Sequence, residues 1–112
     1  MNIGIQDRTL IADLSGEIDF HQADRLRGQI DAAFEKSSCR NIILNMTEVT
    51  FMDSSGIGMI IGRYKSTEKR GGKLILAAMD ERLAKLFEIS GLSKIVSKTD
   101  TVENALKMTG GN

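Results

Sequence analysis

Phe51-Met52-Asp53-Ser54-Ser55-Gly56-Ile57-Gly58 is the stretch on which the fold turns. An apolar strand end runs into a polar turn with two hydroxyls, and helix-spaced residues follow at once. A strand-to-helix turn of this kind points backbone N–H groups and the positive end of a helix dipole outward, which favours nearby negative charge. Ser54 and Ser55 therefore have three candidate roles: helix cap, nucleophile, or a hydroxyl that another protein phosphorylates.

Upstream, Asn41-Ile42-Ile43-Leu44-Asn45-Met46 is a short apolar run bounded by polar residues, as a central buried strand requires, and Val49 to Met52 stays extended into the turn. Downstream, a helix is expected from about Ser55 to about Arg70, with Ile57, Ile60, Ile61 and Tyr64 as its apolar stripe. Gly71-Gly72 supplies a left-handed stop. Leu74-Ile75-Leu76-Ala77-Ala78 reads as a second buried strand. Asp80 then caps a helix with Leu83, Leu86 and Phe87 inward. Gly91 at the left-handed position beyond that helix would bring Leu92 against Phe87. Lys94-Ile95-Val96-Ser97 is expected as a last short strand. Asp100 and Glu103 have capping-box spacing ahead of Val102, Ala105 and Leu106.

Nearer the start, Leu10, Ala12, Leu14 and Ile18 share one face, and Asp13, Ser15 and Glu17 the other, the pattern of a half-exposed strand. Met1 to Ile5 pairs beside it as a short edge strand. After Asp19-Phe20-His21-Gln22 the period becomes helical, with Ala23, Leu26, Ile30, Ala33 and Phe34 inward. The order β-β-α-β-α-β-α-β-α, with short connections, implies an α/β domain with a mostly parallel or mixed sheet packed against helices.

Composition narrows the function. A chain of 112 residues, 41% hydrophobic and 27% charged, fits one small globular domain with a real core. Fifteen basic and fifteen acidic residues cancel, and four Phe and one Tyr are scattered, which argues against a nucleic-acid platform. No window approaches the roughly 18 uninterrupted apolar residues of a membrane helix, and the first residues lack a signal-peptide layout. A cytoplasmic location is expected. Cys39 is the lone cysteine and His21 the lone histidine, so no internal disulfide, catalytic metal site or other cofactor is expected.

Catalysis at the turn fits poorly. A nucleophile elbow needs Gly-x-Ser-x-Gly, but Met52 stands where Ser54 would need a glycine, and Ser55 fails on both sides. Gly56, Gly58 and Gly62 do not have dinucleotide-fingerprint spacing. Capping by Asp53, Ser54 or Ser55 explains the turn but not the glycines, each of which weakens a helix by on the order of 1 kcal/mol relative to Ala. Gly58 and Gly62 share a helix face and permit close approach by another backbone. That backbone is either the domain's own sheet or a docking partner.

Asp53-Ser54-Ser55-Gly56-Ile57-Gly58, the following Ile61-Gly62-Arg63-Tyr64-Lys65, Gly16-Glu17-Ile18-Asp19 and Ser90-Gly91-Leu92 together resemble the anti-sigma-factor antagonists, the small STAS-domain proteins. The resemblance runs over nearly the whole chain and implies one domain, 1–112: a mixed sheet of four to five strands with about four helices packed mainly on one side. It implies an anti-anti-sigma factor. The unphosphorylated antagonist binds an anti-sigma factor that is also a serine kinase, and so frees the sigma factor. The kinase phosphorylates the first serine of Asp-Ser-Ser-Gly using ATP, and a PP2C-type phosphatase reverses this. By position that serine is Ser54, and Asp19 matches the family's acidic residue after the second strand. The docking surface expected from this comprises Asp19, Asp53, Ser54, Ser55, Gly56 and Gly58, with Met59 and Arg63 on the exposed part of the helix. Gln22 departs from the Thr, Ser or Asn common shortly after that aspartate, and Gln is a poor cap, which leaves Asp19 or His21 to cap the first helix. Two other readings are a STAS scaffold acting on a different partner and a small serine hydrolase.

Overall fold

Residues 1–110 are described by a computed structural model. Five strands, β1 (Asn2–Gln6), β2 (Thr9–Ile18), β3 (Asn41–Met52), β4 (Leu74–Ala77) and β5 (Ser97–Thr99), form one sheet in chain order. β1 and β2 make an antiparallel hairpin, with Asp7 at the left-handed position of its turn (φ 56°), a conformation Asp tolerates. The remaining neighbours are parallel. Each parallel step needs a crossover, and the helices α1 (Phe20–Lys36), α2 (Ser54–Lys69) and α3 (Glu81–Ile89) supply them.

Strand alternation decides which face each helix covers. Leu10, Ala12, Leu14 and Ile18 of β2, with Ile42, Leu44 and Met46 of β3 and Leu74 and Leu76 of β4, form one core with α1, α2 and α3. The alternate residues Ile43, Ile75 and Ala77 face the other way, onto Ala105 of the short helix α4 (Val102–Met108). The middle strands are covered on both faces, which is why they read as continuous apolar runs. β2 keeps its inward face through two register shifts near Gly16, whose φ of 75° suits glycine.

Polar pins fix the ends of these elements. Buried Asn41 donates to the Thr9 hydroxyl at 3.2 Å and accepts from the Lys73 backbone N–H at 2.9 Å, tying the starts of three strands. Arg70 at the end of α2 donates to the carbonyls of Phe34 (2.9 Å) and Cys39 (2.6 Å), and its guanidinium lies 4.0 Å from the Phe34 ring centre. Helix α2 stops as expected at Gly71 (φ 70°): the Gly71 and Gly72 N–H groups donate to the Glu68 and Thr67 carbonyls, the paired bonds of a Schellman cap. Helix α3 ends at left-handed Gly91 (φ 86°), with the Gly91 N–H on the Glu88 carbonyl, while Leu92 donates to the Ser90 hydroxyl instead of completing the pair.

Two expectations near the C-terminus are corrected. Leu92–Lys94 is a 3₁₀ turn, and the last strand comes later, at Ser97–Thr99. The Lys94 and Ile95 N–H groups bond back to Gly91 and Leu92, so the groups that would pair in a strand are already used. Thr101 rather than Asp100 caps α4, accepting the Asn104 N–H at 3.0 Å.

Candidate functional site

The parallel pairing of β2 and β3 ends with Ile18 beside Met52, and the Asp53 N–H donates to the Ile18 carbonyl at 3.3 Å. Both strands then pass into helices, so α1 and α2 begin side by side at the carboxyl ends of neighbouring strands. Asp19 caps α1, its carboxylate accepting the Gln22 N–H at 3.0 Å. Asp53 caps α2 in the same way, accepting the Ser55 N–H at 2.8 Å. Gln22 is not needed as a cap: its side-chain oxygen accepts from Arg25.

With Asp53 as the cap, the two serines diverge. Ser54 is the first residue of α2 and is exposed, and its hydroxyl has no hydrogen-bond partner among the described residues. Ser55 is half-buried and turns toward α1, where it lines a groove. His21 is exposed and stacks edge-on against Phe20, with ring centres 5.6 Å apart. No hydrogen bond joins it to either hydroxyl among the described residues.

The three glycines separate as well. A Cβ on Gly56 would lie 2.2 Å from Met52 Cγ and 3.2 Å from Ile18 Cγ2, so Gly56 is buried and lets α2 settle on the strand ends. A Cβ on Gly58 or Gly62 would meet nothing within 4 Å. Internal packing thus explains Gly56 and leaves Gly58 and Gly62 unexplained.

The inward face of α2 consists of Gly56, Met59, Ile60, Arg63 and Thr67, while Ile57, Ile61 and Tyr64 are only half-buried. Ile60 lies inward as expected, and Ile57, Ile61 and Tyr64 pack partly buried against the same core, so the fully buried face is displaced to one side of the expected stripe. Met59 (4% exposed) and Arg63 (6% exposed) were expected on the outer surface and lie inside it. Arg63 Nε sits 3.0 Å from Asp31 Oδ1 of α1, a charge contact without an aligned N–H···O bond. Burial pushes the Arg63 pKa below its ordinary value, and Asp31 opposes this. Gly56, Met59 and Arg63 thus hold the helix in place from within.

Between α1 and α2, one turn from Ser54, lies a groove of about 250 Å³ lined by Phe20, Ala23, Asp24, Arg27, Ser55, Gly58 and Met59. Phe20 is 67% exposed and has no counterpart among the expected site residues. Its signal in the sequence was its place: a large aromatic beside the capping aspartate, ahead of the inward series Ala23, Leu26, Ile30 and Phe34.

The STAS domain family matches residues 1–105. The anti-sigma F factor antagonist of Paenibacillus polymyxa is 41% identical over 97 residues, covering 87% of this chain and 83% of its own. This chain belongs to the STAS-domain anti-sigma-factor antagonists. Two solved structures share the fold of this STAS domain, a five-stranded mixed sheet with its helices mainly on one face. The antagonist SpoIIAA in its unphosphorylated form is 29% identical with a TM-score of 0.77, covering 99% of this chain and 98% of that one. The Bacillus cell fate determinant SpoIIAA in its phosphorylated form is 31% identical with a TM-score of 0.73, covering 96% of both chains. The family is a regulatory one, named for antagonism of another protein. Among the described residues of the STAS domain, no helix is long and apolar enough to cross a membrane, and no cluster of His, Cys, Asp or Glu is placed to hold a metal.

Proposed function

We propose that this STAS domain is an anti-anti-sigma factor. Unphosphorylated, it binds an anti-sigma factor that is also a serine kinase, and the sigma factor is released. Phosphorylation of Ser54 ends that binding, and a PP2C-type phosphatase restores it. The observation that carries the reading is Ser54 itself: exposed, unbonded, and on the first turn of a helix whose cap is already supplied by Asp53. A kinase can reach that hydroxyl without unfolding anything. The partner class comes from the anti-sigma F factor antagonist of P. polymyxa, and the two states from SpoIIAA, solved both unphosphorylated and phosphorylated. These relatives support sporulation control as the process, and the cytoplasm is the location proposed for it.

The docking surface is Ser54 with Ser55, Gly58 and the capping residues Asp19 and Asp53. A phosphate there brings roughly −1.5 to −2 charges. At a helix N-terminus that charge is tolerated by the domain. Against a close-fitting partner it adds bulk and a dianion that must be desolvated, and the complex is lost. Incubation with an anti-sigma F factor kinase and ATP, followed by intact mass and peptide mapping, tests the site: one phosphate on Ser54 is expected, and a phosphate mapped to Ser55 instead would overturn the assignment.

A further inference from the structure

The groove between α1 and α2 opens to the surface, and the make-up of its walls describes what it can receive. Phe20 forms one wall and keeps 67% of its surface in water, although the inward residues Ala23 and Leu26 show that α1 buries apolar side chains readily. Gly58 forms the facing wall, an exposed helical glycine around which a Cβ would meet nothing within 4 Å. It weakens α2 without serving any packing inside the domain. At the rim, Arg27 and Asp24 neutralise each other through a 2.7 Å contact. An aromatic wall and a wall with no side chain suit an apolar side chain, and the rim pair of Asp24 and Arg27 carries no net charge that would favour a charged one.

We infer that Phe20 and Gly58 determine specificity for the anti-sigma factor, and that the groove receives an apolar side chain from it. The inference rests on the proposed function and extends the same surface, since Ser55, next to the phosphoacceptor, is also a groove wall. Continuity with Ser54 selects this occupant over a second copy of the chain. Anything seated on Ser55 and Gly58 also crowds Ser54, so a self-association there would hide the hydroxyl that the kinase must reach. It also sharpens the switch: a partner drawn down by Phe20 has no room for a phosphate on the neighbouring turn.

The test uses the full chain and purified anti-sigma F factor, with affinity measured by calorimetry for the native chain, Phe20→Ala, Gly58→Leu and Ser54→Asp. Phe20 is exposed and position 58 is open, so neither Phe20→Ala nor Gly58→Leu should lower Tm. Each should nevertheless weaken binding by on the order of tenfold or more. If both bind within about twofold of native while Ser54→Asp fails to bind, the switch stands and the groove inference falls. If the native chain does not bind, the functional reading falls and takes the groove with it. Sedimentation at the same concentrations reads the remaining occupant: a native dimer that Phe20→Ala and Gly58→Leu dissolve, with affinity for the anti-sigma factor unchanged, would overturn the inference in favour of a second copy.

Discussion

Arg63 on α2 lies 3.0 Å from Asp31 on α1, and the cation is the more deeply buried partner, its side chain 7% exposed against 28% for the carboxylate. Burial depresses the Arg63 pKa more than Asp31 restores it, and Nε and Nη1 are buried without a hydrogen bond. The pair is therefore asymmetric. Deleting Asp31 strands a buried cation, whereas deleting Arg63 leaves a carboxylate that water still reaches. Asp31→Ala should lower stability by about 2 kcal/mol or more, and Arg63→Met should change it by less than about 1 kcal/mol in either direction. Urea unfolding of both variants checks this, and equal losses would contradict it.

The glycines of the domain should respond with opposite signs. Gly58→Ala and Gly62→Ala place a methyl in open space on a helix, and each should raise stability by roughly 0.5–1 kcal/mol. Gly56→Ala pushes against Met52 and Ile18 and should lower it by about 1–3 kcal/mol. Gly72→Ala is the severe case, because its Cβ would lie 1.8 Å from the Arg40 carbonyl oxygen, which is backbone and cannot rotate away. A loss of more than about 3 kcal/mol is expected there. Thermal melts of the four variants give the ranking.

Asp53 contributes an acceptor oxygen to the start of α2. Asn offers the same oxygen without the charge, so Asp53→Asn should keep Tm within a few degrees. Asp53→Ala removes the cap and should cost about 1 kcal/mol. If the Asn and Ala variants were destabilised alike, the charge rather than the hydrogen bond would be what the helix needs.

Phosphorylation at Ser54 should leave the fold unharmed while abolishing partner binding. The phosphate falls within the first turn of α2, where a helix favours negative charge by roughly 0.3–1 kcal/mol. The modified chain should melt within a few degrees of the unmodified one or slightly above it. Ser54→Ala should bind the partner and take no phosphate at that turn, and Ser54→Asp should fold normally and fail to bind. A melting point lowered by phosphorylation would point to a switch that works by unfolding.

The element order and most of the core could be read from side-chain period alone, because β2, α1 and α3 each have one buried face. The middle strands were equally plain as apolar runs. The orientation of α2 was not, because its apolar residues Ile57, Ile60, Ile61 and Tyr64 cover much of the helix, and a charged residue, Arg63, occupies the inward face. The close contact at Gly56 and the Arg63–Asp31 contact go with that orientation, and neither a glycine's contacts nor a buried cation leaves a mark in hydrophobic pattern. The last strand was misplaced for a related reason. Leu92 and Val96 are both buried, and a 3₁₀ turn between them gives a pattern that also suits a strand. Asp19 and Asp53 were recognisable as caps, but the groove required two helix starts to be neighbours, which the pairing of Ile18 with Met52 decides.

That pairing has a consequence for how such domains diverge. The side chains of the proposed docking surface stand on two adjoining helix starts, outside the apolar layer that holds the sheet together. On the groove inference, a change of allegiance to another regulator would need only exchanges at positions such as 20 and 58, with the interior keeping its composition. Paralogous antagonists could then coexist in one cell on an unaltered chassis, insulated from each other's circuits by a few surface residues.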